Sequence, residues 1–128
     1  MRKQAATRQS DVLEVLTRHD KPLTAYAILD QMKVEEPDLA APTVYRALAA
    51  LTDQGRAHKL ESLKAFVACR CEHDSSVPVL AMCGNCGAVE EHDGTRLLSE
   101  LSAIPKRTKF QPERYSVEIH GLCKDCAV

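Results

Sequence analysis

The segment APTVYRALAALTDQG, residues 41–55, decides the fold prediction for the first half of the chain. Pro42 suits the first turn of a helix, and Gly55 suits the residue just past its end. Apolar residues that recur at helical spacing are Val44, Ala47, Leu48 and Leu51. The segment therefore predicts an amphipathic helix with one face in the core.

The segments on either side complete a recognisable order of elements. RQSDVLEVLTRH, residues 8–19, predicts a helix with Ser10 as its N-cap, and AYAILDQMK, residues 25–33, predicts a helix capped by Thr24. Two strand-like runs follow between residues 56 and 70. Three helices followed by a hairpin predict a winged helix-turn-helix.

Such a fold places the N-terminal part of its last helix in the major groove of DNA. Arg46 is suited to donate two hydrogen bonds to a guanine edge, and the ring of Tyr45 to pack on a thymine methyl. Thr43 and the hairpin lysines Lys59 and Lys64 are suited to contact phosphates. An ordinary helical bundle with a solvated face is the alternative, because a net charge of −1 does not indicate nucleic acid.

The second half predicts a small α/β unit. Residues 77–83 and 87–93 read as a hairpin, residues 95–104 as a helix ended by Pro105, and residues 115–123 as a third strand. A three-stranded sheet has two open edges, and a second copy of the chain would cover one of them. We therefore expect an α+β protein that forms a homodimer through this half.

Two CxxC pairs lie at either end of this second unit. The sulfurs of such a turn can point to one centre, and two turns supply the thiolates of a closed tetrahedral zinc site. The predicted ligands are Cys83, Cys86, Cys123 and Cys126. A thioredoxin-like redox pair is the alternative, which is disfavoured because that motif opens a helix and needs no second CxxC.

We expect a cytoplasmic protein without a membrane partner. No run approaches the roughly 18 apolar residues of a membrane helix. The first residues lack the uninterrupted apolar region and cleavage site of a signal peptide. Thiols stay reduced in the cytosol, which favours metal binding over disulfides.

Further donors form a looser set around the junction of the two halves. They are His58, Cys69, Cys71, His73, Glu90, Glu91, His92 and His120. Each taken singly has an ordinary structural explanation. Four ligands of mixed type are nevertheless a set that zinc accepts, so this region is a candidate second metal site.

PTVYRAL, HKLES and the CxxC pairs resemble the ferric-uptake-regulator (Fur) family of bacterial metal-responsive repressors, from about Arg8 to Cys126. AYAILDQM, APTVYRALAALTDQG and HGLCKDC are most similar to its zinc-uptake-regulator branch. The resemblance implies a winged-helix DNA-binding domain over residues 1–68, a hinge over 69–76 and a dimerisation domain over 77–128. It implies a homodimer that binds AT-rich palindromic operator DNA when zinc-loaded and represses zinc-uptake genes. An iron- or other metal-responsive regulator of the same family is the alternative.

The resemblance also assigns roles to residues. It implies two Zn²⁺ per subunit, with the four CxxC thiols holding the structural ion. The implied regulatory ligands are His58, Cys69, His73 and Glu91, and the implied DNA contacts are Tyr26, Tyr45 and Arg46. His73 is the only histidine in CEHDSSVPVLAMC, although a strict count back from Cys83 reaches Ser76. The softness of Cys69 as a ligand favours zinc over iron.

Two other classes of function are weighed against this one. A zinc hydrolase would use Glu91 as a base on a metal-bound water. The sequence has no HExxH, and a filled set of four ligands leaves no place for water, so we expect no enzyme and no small-molecule substrate other than metal. A zinc-ribbon interaction module without a DNA role is the third possibility.

Overall fold

The computed structural model describes residues 4–69 and 77–127. It divides the chain into two compact units, Met1–Cys69 and Arg70–Val128. The first unit contains α1 (Ala5–Arg18), β1 (Leu23–Thr24), α2 (Ala25–Met32), α3 (Ala41–Asp53), β2 (Ala57–Leu60) and β3 (Ala65–Ala68). The second contains β4 (Pro78–Cys83), β5 (Val89–Asp93), α4 (Thr95–Thr108) and β6 (Val117–Gly121). The predicted α+β class is confirmed.

The starts of the first two helices show how well capping signals predict boundaries. The Thr24 hydroxyl accepts a hydrogen bond from the Ala27 N–H at 3.1 Å, so the predicted cap of α2 is confirmed. The Ser10 prediction is wrong, because α1 begins at Ala5 with Gln4 as its N-cap. The first turn of α1 carries no apolar periodicity, and helix-favouring alanine starts it without a side-chain cap.

The core of the first unit lies between its three helices and its sheet. The predicted inner face of α3 is confirmed, since Val44, Ala47, Leu48 and Leu51 are all buried. These residues pack with buried side chains of α1 and α2 and with Phe66 of β3. Burying each large aliphatic side chain contributes about 1.5–3 kcal/mol. The opposite face of α3 is thereby held outward.

The small sheet of the first unit has the order β1-β3-β2. The predicted hairpin is β2 and β3, with Lys64 in the left-handed region of its turn at φ 53°. Sequence patterns miss β1, which pairs Leu23 with Phe66. Two residues are too few to show the alternation that predicts a strand.

The second unit is a three-stranded sheet of order β5-β4-β6 with α4 connecting its edge strands. Strand β4 pairs antiparallel with β5 and parallel with β6. The prediction that Pro105 ends the helix is wrong, because α4 continues to Thr108 and stops where Lys109 adopts φ 59°. Proline removes one helical hydrogen bond, but Lys106 and Arg107 then suit the negative end of the helix dipole.

Apolar side chains remain exposed on the second unit. No residue of α4, all of which is described, is buried. Ile104, Phe110, Ile119 and Leu122 are each at least 43% exposed. None of the helices in the described part of the chain is long and apolar enough to span a membrane.

Candidate metal centres and nucleic-acid interface

The first cysteine turn, residues 83–87, follows directly from the end of β4. The Gly87 N–H donates to the Cys83 carbonyl at 3.1 Å, and the Cys83 N–H donates to the Ala88 carbonyl at 2.9 Å. Gly87 has φ 79°, a conformation that glycine adopts without steric cost. The tight turn lets the Cys86 N–H donate to the Cys83 sulfur at 3.4 Å.

The second cysteine turn, residues 123–127, follows β6 in the same way. The Cys126 N–H donates to the Cys123 carbonyl at 3.0 Å. Because β4 and β6 are parallel neighbours with Cys83 opposite Gly121, both turns leave the same end of the sheet. The Gly84 N–H then donates to the Gly121 carbonyl at 2.8 Å and joins the first turn to the end of β6.

This arrangement brings the four predicted thiols together. The sulfurs of Cys83, Cys86, Cys123 and Cys126 all lie within 4.8 Å of one another. A tetrahedral zinc with Zn–S bonds of about 2.3 Å requires sulfurs about 3.8 Å apart. The Cys86 and Cys123 sulfurs are 3.8 Å apart. The number, kind and spacing of these donors therefore fit a four-thiolate zinc centre.

The thiols of this cluster differ in acidity. The backbone N–H groups of Cys86, Cys123 and Asn85 lower the pKa of Cys83 to about 6. The side chain of Asn85 lowers the pKa of Cys126, but the neighbouring thiols of Cys123 and Cys83 outweigh it and raise that pKa to about 11. Cys83 is therefore better prepared than Cys126 to bind a cation as a thiolate at neutral pH.

Two further donors, His58 and Cys69, lie on the hairpin of the first unit. His58 of β2 stands opposite Val67, and the Cys69 N–H donates to the Arg56 carbonyl at 2.9 Å just past the end of β3. Since side chains alternate along a strand, His58 and Cys69 share one face of the hairpin. A ring nitrogen of His58 and the sulfur of Cys69 lie within 4.8 Å.

Of the other predicted regulatory ligands, Glu91 belongs to the second unit. Glu91 is half-buried on β5 opposite Leu80, whereas its neighbour Glu90 points to the other face and lies 3.2 Å from His92. His73 lies outside the described residues, as do Cys71 and positions 70–76 of the predicted hinge.

The two remaining histidines of the second unit do not converge. His92 stands opposite Val79 and His120 opposite Met82. Odd and even positions of β4 face opposite sides of the sheet. The geometry therefore does not bring His92 and His120 together in one metal site.

The predicted DNA-contacting residues share one exposed surface of the first unit. Tyr26 of α2 is 62% exposed and Tyr45 of α3 is 48% exposed. Their rings meet edge to face with centroids 6.3 Å apart and an interplanar angle of 84°. Arg46 is exposed and its Nε donates to the Pro42 carbonyl at 3.3 Å, while Thr43 is half-buried. Spacing alone gives no sign that Tyr26 and Tyr45 touch, because they belong to different helices.

The two hairpin lysines differ in their neighbours and in their exposure to solvent. The Lys59 ammonium lies 3.6 Å from the Glu61 carboxylate and 6.0 Å from the centre of the Phe66 ring. Lys64 is exposed in the turn between β2 and β3. Lys64 is thus the better placed of the two for a phosphate.

Sequence patterns gave no role to Asn85. Its side-chain N–H donates to the Cys126 sulfur at 3.3 Å. The signal that could have found it is its position between the two cysteines of a CxxC turn, where an amide can reach a sulfur.

Comparisons with known proteins show which proteins this chain is similar to in sequence and in fold. The zinc uptake regulation protein of Escherichia coli (strain K12) is 32% identical over 117 residues, which cover 91% of this chain and 68% of that protein. A solved structure of a zinc uptake regulator complexed with zinc and DNA has a TM-score of 0.85 at 31% identity and matches 92% of this chain and 79% of that chain. The crystal structure of holo XcZur has a TM-score of 0.82 at 37% identity, with 94% and 84% covered. The sequence profile of the ferric uptake regulator family matches residues 3–120, and this chain belongs to that family.

Proposed function

We propose that this protein is a zinc-responsive transcriptional repressor of the cytoplasm. As a zinc-loaded homodimer it binds AT-rich palindromic operator DNA and represses zinc-uptake genes. The similarity to regulators that are named for zinc, and to one solved with zinc and DNA, supports this assignment. The exposed face of α3 and the four-thiol cluster supply the two chemistries that it needs.

The observation that carries the proposal is the pair His58 and Cys69 on the hairpin of the first unit. The same unit presents the exposed Tyr45 and Arg46. A metal held by this pair is therefore attached to the body that would contact DNA. Imidazole and thiolate together favour zinc over iron or manganese.

We propose that His73 and Glu91 complete this regulatory site, so that one zinc joins residues of both units. The domains would then be residues 1–68 and 77–128 with a hinge over 69–76. Zinc acts by binding more tightly to the arrangement of the two units that suits the operator. The coupling between zinc and DNA is expected to be about 1–3 kcal/mol.

The zinc of the cysteine turns has a different role in this proposal. Four thiolates fill the coordination shell of the ion and leave no position for a signal to change. This ion would tie β4 to β6 and stabilise the second unit. The open edges of β5 and β6 and the exposed Ile104, Phe110 and Ile119 are suited to a second copy of the chain.

On the DNA side, Arg46 would read a guanine edge and Tyr45 a thymine methyl. Thr43 would contact phosphate, and Tyr26 would contact the backbone or a nearby base. The edge-to-face contact between the tyrosines fixes their relative orientation before DNA arrives.

The test selects DNA from a random duplex pool in buffers of fixed free zinc. Binding of the selected duplex and of a scrambled duplex is then followed by fluorescence anisotropy. We expect affinity for the selected duplex to rise with free zinc and to remain low with iron or manganese. A folded protein that binds no duplex at any zinc concentration contradicts the proposal, and a response to iron alone assigns the family alternative.

A further inference from the structure

We propose that Asn85 is a positioning residue of the four-thiol centre, where its side-chain amide holds Cys126 in place and offsets thiolate charge. This inference rests on the proposed zinc at that centre. It adds a residue that is not itself a ligand.

The geometry links the two cysteine turns through Asn85. It lies inside the first turn, yet its Nδ2 atom donates to the sulfur of Cys126 in the second turn at 3.3 Å. A backbone hydrogen bond of 2.8 Å from the Gly84 N–H to the Gly121 carbonyl likewise has its donor in the first turn. The first turn is thus held to the second turn by the Asn85 bond and to the end of β6 by the Gly84 bond, and neither bond needs a metal.

The charge of the ligands explains why a hydrogen bond to a ligand sulfur would stabilise the metal-bound centre. One Zn²⁺ and four thiolates carry a net charge of −2, and N–H donors to sulfur disperse that charge. The backbone N–H of Cys86 serves the Cys83 sulfur in this way at 3.4 Å. The Cys126 sulfur receives its donor from a side chain, so a substitution can remove it.

Position 85 is suited to a substitution test. Asn85 is exposed, and Lys64 and Lys109 are the non-glycine residues with positive φ in the described chain. Alanine or aspartate can therefore adopt the backbone of Asn85 without strain. Asn85→Ala removes the donor, while Asn85→Asp keeps the size and places a carboxylate beside a thiolate.

The experiment measures zinc and cobalt affinity of the full chain by competition with a chromophoric chelator. Lys124→Ala, an exposed change inside the second cysteine turn, is the matched control. We expect Asn85→Ala to weaken metal affinity about tenfold, with a larger loss for Asn85→Asp and none for the control. The thiolate-to-cobalt charge-transfer band should shift in both Asn85 variants, because a hydrogen bond to sulfur changes the energy of its lone pairs.

A second measurement keeps the test valid if a variant unfolds when it loses metal. Cadmium-saturated protein is compared by ¹¹³Cd NMR, and the four-thiolate resonance should move in Asn85→Ala and stay in Lys124→Ala. If the parent binds metal at the cysteines while affinity and spectra of both Asn85 variants match it, the inference is overturned and the proposed function stands. If the parent binds no metal there, the inference and the structural zinc of the proposed function fail together.

Discussion

The two sets of metal donors differ in composition and in location. The second unit holds four thiols whose sulfurs lie within 4.8 Å, a complete shell of one ligand type. The hairpin of the first unit holds one imidazole and one thiol, which is half of a shell. The first set can close around zinc with residues of one unit, whereas the second pair needs further ligands.

In the proposed function, that difference assigns stability to the first set and sensing to the second. A complete thiolate shell binds zinc tightly, and its binding free energy becomes folding free energy. An incomplete pair binds weakly until other ligands reach it, so its affinity depends on the arrangement of the chain. A ligand can shift an equilibrium only by its differential affinity for the two states. The pair His58 and Cys69 therefore fits a sensor, and the cysteine turns fit a structural centre.

The largest expected effect comes from breaking the complete shell. Cys86→Ser should remove the zinc of the second unit and unfold that unit, since structural zinc contributes about 10–16 kcal/mol of apparent binding free energy in small zinc domains. Metal analysis and amide NMR spectra should show loss of one zinc and of dispersed signals from β4 to β6. Cys69→Ser is the matched control and should keep the zinc of the cysteine turns and the dispersed signals from β4 to β6. Retention of zinc and fold in Cys86→Ser would contradict the structural assignment.

A change on the DNA face should leave both metal centres intact. Arg46→Ala is expected to cost about 1–3 kcal/mol of operator binding by loss of a bidentate contact. That cost corresponds to roughly 5–150-fold in Kd. Anisotropy titration at saturating zinc measures it, with metal content checked in parallel. Arg18→Ala, an exposed arginine at the end of α1, should bind like the parent. Equal loss in both variants would mean that charge alone is being measured.

Adjacent carboxylates on β5 test which residue completes the sensor. Glu91→Gln should raise the free zinc needed for half-maximal operator binding by about tenfold, because a neutral amide is a weaker ligand. Glu90→Gln is the control, since Glu90 points to the opposite face and pairs with His92. A shift in Glu90→Gln and none in Glu91→Gln would reject Glu91 as a ligand.

The smallest effect tests whether the first unit can be weakened by itself. Thr24→Ala removes the N-cap hydrogen bond of α2 and should lower the free energy of unfolding of the first unit by about 1 kcal/mol. Chemical denaturation followed by signals of each unit measures this change. Zinc retention by the cysteine turns should be unchanged. A loss of that zinc in Thr24→Ala would show that the two regions are not independent.

Local signals predicted much of the fold. The spacing of Val44, Ala47, Leu48 and Leu51 predicted the buried face of α3, and the cap of α2 followed from one hydroxyl. The start of α1, strand β1 and the extension of α4 beyond Pro105 were missed. Each of these is settled by cooperative hydrogen bonding or tertiary contact, and the residues themselves carry no periodic signal.

The candidate site, like the fold, was predicted only in part from the sequence. The spacing of the cysteine pairs predicted that their sulfurs would meet, because a strand, a helix and a parallel strand return the chain to its starting end. The amide of Asn85 on Cys126 and the contact of Tyr26 with Tyr45 were not predicted. Both join residues from different elements, and such contacts depend on side-chain direction in the folded chain.

The measurement that tests the central claim most directly is operator binding by Cys69→Ser across a range of free zinc. The account predicts that this variant remains a dimer with one zinc per subunit and loses the zinc-dependent gain in operator affinity. The parent, titrated in parallel, should gain affinity over the range in which its second zinc binds. If Cys69→Ser binds the operator as tightly as the parent at limiting zinc, the assignment of sensing to His58 and Cys69 is contradicted.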